Sequence, residues 1–139
     1  MFDYEDEMQV SRTDDITISA CPVLVEEESK EDEVLWGYYL CIENNSSHRI
    51  HVVGKNWNIT DDKGNCYVDD TMGFKGEIPE LEPGECFEFT STAPLKSPNA
   101  VFYGSCKILD EAQKVTKDIR IPTFSLSAFG KDAYSATIN

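Results

Sequence analysis

The 139-residue sequence predicts an all-β chain: an immunoglobulin- or fibronectin-III-like β-sandwich of seven or eight antiparallel strands. Three observations carry this. Apolar and polar side chains alternate with period two along most of the chain, the mark of half-buried strands. Turn-forming residues recur at roughly 8–12-residue intervals, the spacing of short sheet strands. No stretch of ten or more residues sustains helical spacing. The apolar faces then need two sheets packed about 10 Å apart. A small barrel is the alternative closure.

Each element follows from its residues. Ile16–Leu24 sets Ile16, Ile18 and Ala20 against Thr17, Ser19 and Cys21. Val34–Asn44 puts Trp36, Tyr38, Leu40 and Ile42 on one face, and the acidic Glu26–Glu33 connects these two neighbours. An Asn-Asn-Ser-Ser turn leads to Arg49–Thr60, whose apolar parity changes between Val52 and Trp57. Gly54 lies between them, and a bulge there restores the inward face. Asp61-Asp62-Lys63-Gly64-Asn65 is a hairpin turn by composition. Cys66–Asp70 returns as a short strand, and the loop-rich Thr71–Gly84 follows. Glu85–Thr92 and Val101–Leu109 alternate again, with Pro94 and Pro98 bracketing an irregular connection. Val115–Leu126 closes the domain, its Pro122 implying an edge or a bulge because proline cannot donate to a ladder. The expected organisation is an acidic flexible arm over 1–13, one domain over 14–129 and a loose tail over 130–139.

Charge narrows the function classes. Twelve basic against 26 acidic residues give a net charge of −14. Residues 1–33 hold 12 acidic and 2 basic side chains, net −10, so the body is nearly balanced. Binding a phosphate backbone needs concentrated Lys and Arg, so no nucleic-acid partner is expected. Apolar runs are too short to span a bilayer, so no membrane insertion is expected. The acidic MFDYEDE start does not resemble a secretory leader, which points to the cytoplasm. Like-charge runs are usually solvated, and Glu26–Glu33 lacks the alternating ligands and turn glycine of a calcium loop.

The reactive residues form no motif. Cys21, Cys41, Cys66, Cys86 and Cys106 lie at least 20 residues apart, so no CxxC exists, and reduced thiols are expected. His48 and His51, three apart on an extended chain, face opposite sides, which argues against a metal pair. No catalytic residue, metal ligand or cofactor is assigned.

One stretch stands out as a candidate site: Thr71, Met72, Gly73, Phe74, Lys75 and Gly76. Two glycines can turn several N–H groups toward one anion. The competing reading is structural, with Met72, Phe74 and Ile78 capping the core. Lys55, Asn56 and Trp57 are the accessory candidates, and Trp36 and Trp57 are both expected to pack inward.

These segments resemble the ApaG domain family, bacterial proteins also known as CorD. The resemblance rests on Trp36–Asn44, on Trp57–Gly64, on Gly73–Ser91 and on Ile121–Leu126, and it spans Ile16 to Leu126. Lys55 and Asn56 stand where the family usually carries Arg and His, and Thr71 replaces the first glycine of its GxGxxG. The family's M-x-G-x-Y strand reads Phe102-Tyr103-Gly104-Ser105-Cys106 here. The resemblance implies a fibronectin-III-like sandwich without established catalysis, linked genetically to cobalt and magnesium efflux or resistance.

Two functions follow as expectations. The first is a non-catalytic interaction module with an unidentified protein partner, a homodimer remaining open. The alternative is a small-ligand sensor, taking a pyrophosphate-like anion or a divalent cation at the Gly-rich loop or at Asp61/Asp62 and Asp69/Asp70. An enzyme acting on nucleotide polyphosphates lacks a nucleophile–base pair or a strand–helix phosphate unit to support it.

Overall fold

A computed structural model describes residues 8–24, 34–74, 76–95, 97 and 99–127. It contains ten strands: β1 Gln9–Thr13, β2 Ile16–Leu24, β3 Val34–Asn44, β4 Ile50–Asp61, β5 Cys66–Asp69, β6 Glu80–Leu81, β7 Cys86–Leu95, β8 Asn99–Asp110, β9 Val115–Arg120 and β10 Phe124–Ser127. Every pairing between them is antiparallel. One sheet runs β1-β2-β3-β7; the other runs β10-β8-β4-β5, with β6 on β4 and β9 on β8. The two sheets make the sandwich that the alternation requires.

The core is the sum of the inward faces. Ile16, Ile18 and Ala20 meet Leu40 and Ile42 from one sheet, while Val52, Trp57, Ile59, Phe102 and Ile108 come from the other. The Gly54 bulge is present: Val52 faces Ile108 and Gly54 faces Lys107, leaving Val53 unopposed. Burial follows the shift, with Ile50 and Val52 buried before it and Lys55, Trp57 and Ile59 after it. Asn44 is fully buried yet satisfied, donating to the His48 and Leu81 carbonyls and accepting from Ser46.

Three expectations need correcting. The arm does not extend through residue 13, because Gln9–Thr13 pairs with β2 across an Asp14-Asp15 turn in which both residues have positive φ. Asp-Asp is not the Asn-Gly or Asp-Gly signature of that turn, so the hairpin is hard to see in sequence. The expected Val115–Leu126 strand breaks at Pro122 into β9 and β10, both beside β8 at the rim of the sheet. Strand β7 extends to Leu95 through Pro94, which an edge strand tolerates. The acidic segment Glu26–Glu33, the first seven residues and the tail over 130–139 lie outside the described residues, as does the side chain of Trp36.

Candidate functional site

The Gly-rich loop follows β5 and is fastened across β4 by its backbone. The Lys55 N–H donates to the Thr71 carbonyl at 3.1 Å, and the Gly73 N–H donates to the Val53 carbonyl at 2.9 Å. Phe74 and Glu77 then exchange both backbone bonds, 2.7 and 3.1 Å, closing a tight turn. Gly73 has φ +71°, and an added Cβ would lie 2.7 Å from the Glu77 carbonyl oxygen. Glycine is therefore required here for both reasons.

The bulge decides what lies beneath the loop. By swinging the face of β4 it turns Lys55 inward, where its side chain is 6% exposed. The ammonium donates to the Gly73 carbonyl at 2.7 Å and sits 3.8 Å from an Asp69 carboxylate oxygen. It also lies over the Phe74 ring at 4.8 Å, with the Trp57 and Phe89 rings at 5.7 and 5.9 Å. A buried cation needs such compensation, and here a carbonyl, a carboxylate and three ring faces provide it.

Phe74 plugs into the core at 3% exposure, against Trp57, Phe87 and Phe89. Trp57 is 2% exposed and touches Tyr38, Phe89 and Phe102 as well. Its neighbour Cys106 is fully buried, and burial pushes the thiol up to about 12, opposed by the Trp57 indole and the Lys55 ammonium. Such a thiol is inert.

The expected site therefore separates into parts. Lys55 and Trp57 are brought under the loop, but as its support. Asn56, between them, is exposed on the opposite face of the sheet, lining a hollow of about 520 Å³ with Tyr103 and Arg120. Lys75 lies outside the described residues. The core cap is Phe74 alone, since Met72 is 69% and Ile78 50% exposed. They flank the turn closed by Phe74 and Glu77, and the positive φ of Gly73 breaks the alternation that would turn Met72 the same way as Phe74.

Three amides of the loop are also committed. Gly73, Phe74 and Glu77 donate to backbone carbonyls, and the Thr71 hydroxyl donates to Asp69 at 2.7 Å. A nest needs such amides free. His48 and His51 are engaged separately, with Asp110 at 3.3 Å and Glu111 at 2.7 Å. Asp61 accepts from the Lys63 and Asn65 amides and so acts as a turn residue. Burial raises its carboxyl, but those bonds and the Asn65 side chain outweigh this and hold it below the usual range. Among the described residues, no three His, Cys, Asp or Glu side chains are placed to hold a metal ion.

Comparison with known proteins agrees with this frame. A family model, the ApaG domain, matches residues 25–110. The chain belongs to the ApaG domain family. Protein ApaG of Rhizobium leguminosarum is 36% identical over 121 residues, covering 85% of this chain and 92% of its own. Protein ApaG of Agrobacterium fabrum is 36% identical over 122 residues, with the same coverage. A crystal structure of an ApaA protein from Bordetella pertussis superposes with a TM-score of 0.77 at 31% identity, covering 81% of this chain and 93% of that one. The ApaG domain is thus the sandwich described above. No described helix is long and apolar enough to cross a membrane.

Proposed function

We propose that this ApaG-domain chain is a non-catalytic interaction module whose working surface is the fastened loop over 71–78. One observation carries the reading. Met72 and Ile78 are 69% and 50% exposed on a segment held by four backbone bonds, the Lys55 ammonium and the Phe74 plug. Large apolar side chains held in fixed positions lose little entropy when a partner covers them. The resemblance to proteins linked with cobalt and magnesium efflux adds a finer reading: any such effect runs indirectly, through a bound cytoplasmic or membrane-associated partner.

The test compares the chain with its Met72→Asp/Ile78→Asp variant in capture from native extract, read by quantitative mass spectrometry. A partner enriched by the parent and lost at least tenfold by the variant, at an unchanged melting temperature, supports the module. Equal recovery by both, or recovery of nothing above background, removes it.

A further inference from the structure

A cavity of about 240 Å³ opens between the sheets on the side where they are not joined. Its two lips are edge strands, β5 of one sheet and β7 of the other. Its floor is the buried edge of the core, Tyr38, Trp57 and Phe102, and the half-buried Tyr67 forms one wall. Alternation makes the inward positions here apolar, but three of them carry polar groups. Trp57 is directly opposite Asp69, and Tyr38 is directly opposite Ser91, so the buried Trp57 and Tyr38 fix Asp69 and Ser91 on the inward face. Asp69 keeps 42% of its side chain exposed at the mouth, so a carboxylate is tolerated there. Asp69 and Ser91 converge with the Tyr38 hydroxyl on one slot. A small apolar cavity with a few convergent polar groups is the usual form of a ligand site.

We propose that this slot binds a small planar ring bearing a protonated amine, the ring lying against Tyr67 over the aromatic floor and the ammonium bonded to Asp69. An aromatic floor and the Tyr67 wall select a flat apolar body. Asp69 selects the sign. Its carboxylate accepts from the Thr71 hydroxyl at 2.7 Å and has Lys55 Nζ at 3.8 Å, which leaves acceptor positions unused. The Lys55 ammonium is held by the Gly73 carbonyl, so it does not occupy the slot in place of a ligand. Burial raises the Tyr38 phenol above its ordinary value while the Ser91 hydrogen bond lowers it and Asp69 raises it, and the protonated hydroxyl remains a donor. The net charge of −14 draws cations toward the chain and repels anionic rings. The slot lies apart from Met72 and Ile78, so the proposal goes beyond the partner surface.

The test titrates ¹⁵N-labelled chain with tyramine and phenethylamine at about 0.15 M salt, where weak surface attraction is screened. p-Cresol, which lacks the charge, and butylamine, which lacks the ring, are the comparison probes. The proposal expects saturable shifts of the Trp57 indole and of the Val68 and Ser91 amides with the two arylamines. Asp69→Asn weakens binding at least tenfold, and Ser91→Leu, which fills the slot, abolishes it. Asp69→Asn keeps the size of the side chain but removes the carboxylate beside Lys55. Its loss of binding is therefore read in a variant whose Gly73 amide shift matches the parent. The contrast of tyramine with p-cresol on the parent chain decides the charge requirement without any variant. No saturable shift with either amine, equal binding of p-cresol, or indifference to Asp69→Asn each overturns the proposal. So does binding confined to peptides that carry Tyr beside Arg, which assigns the slot to a protein partner. The measurement uses no extract, so a negative result leaves the loop reading standing.

Discussion

The Lys55 ammonium donates to the Gly73 carbonyl at 2.7 Å, fastening a surface loop to a strand that passes beneath it. The contact exists because one extra residue at Val53 reverses the face of β4. The lysine that stands where the family usually carries Arg is, in the fold, a strut.

Replacing that strut tests the claim. Lys55→Met keeps the apolar stem but leaves the Gly73 carbonyl without its charged donor, a loss of about 1–3 kcal/mol. Relief of a buried charge offsets part of it. We expect a lower urea midpoint with an unchanged slope, and faster amide exchange at Gly73. A variant as stable as the parent means that the backbone bonds alone hold the loop.

Phe74 and Met72 are two residues apart and share parity, yet the positive φ of Gly73 between them leaves one buried and the other exposed. They should respond differently. Phe74→Ala removes a buried ring that touches Trp57, Phe87 and Phe89, at a cost of about 3–5 kcal/mol. Met72→Ala lies on the surface and should stay within about 0.5 kcal/mol. Thermal melts of the two variants decide, and similar melting temperatures would contradict the placement of Phe74.

Glycine is required at Gly104 by space. Its φ is +147°, and an added Cβ would lie 2.0 Å from the Asn56 carbonyl oxygen of the paired strand. Gly104→Ala should therefore destabilise more than Gly73→Ala, whose Cβ would meet the Glu77 oxygen at 2.7 Å. The ranking can be read from urea midpoints.

Alkaline pH should weaken the fold through Cys106. Its thiol titrates near 9 when unfolded and near 12 when folded, because burial disfavours the thiolate. Between those values the folded chain keeps a proton that the unfolded chain releases, so stability falls as pH rises above about 9. Below that range its contribution is fully present. A Cys106→Ala variant should show a flatter decline. In the native chain, a thiol reagent near pH 8 should modify the exposed Cys66 and Cys86 and leave Cys106 untouched until unfolding.

Several features were legible because they are local. The bulge at Gly54 shows as a parity change between Val52 and Trp57, and the Asp61–Asn65 turn shows in its residue types. β1 was hidden because Asp14-Asp15 adopts positive φ without glycine. The orientation of Met72 and Ile78 was not legible, since the positive φ of Gly73 and the turn closed by Phe74 and Glu77 interrupt period two between them.

Alternation by itself determined the two layers and the inward Ile, Val and aromatic faces, because side-chain direction along a strand is set by its own backbone. The motifs at Trp36–Asn44, Trp57–Gly64, Gly73–Ser91 and Ile121–Leu126 carried the family. Only the tertiary structure decided what faces what across the layers: that Lys55 meets Gly73, that Asn56 is on the far side, and that Tyr38, Asp69 and Ser91 share one slot. These pairings depend on how separate strands are stacked and registered, and spacing within any one strand carries no record of that.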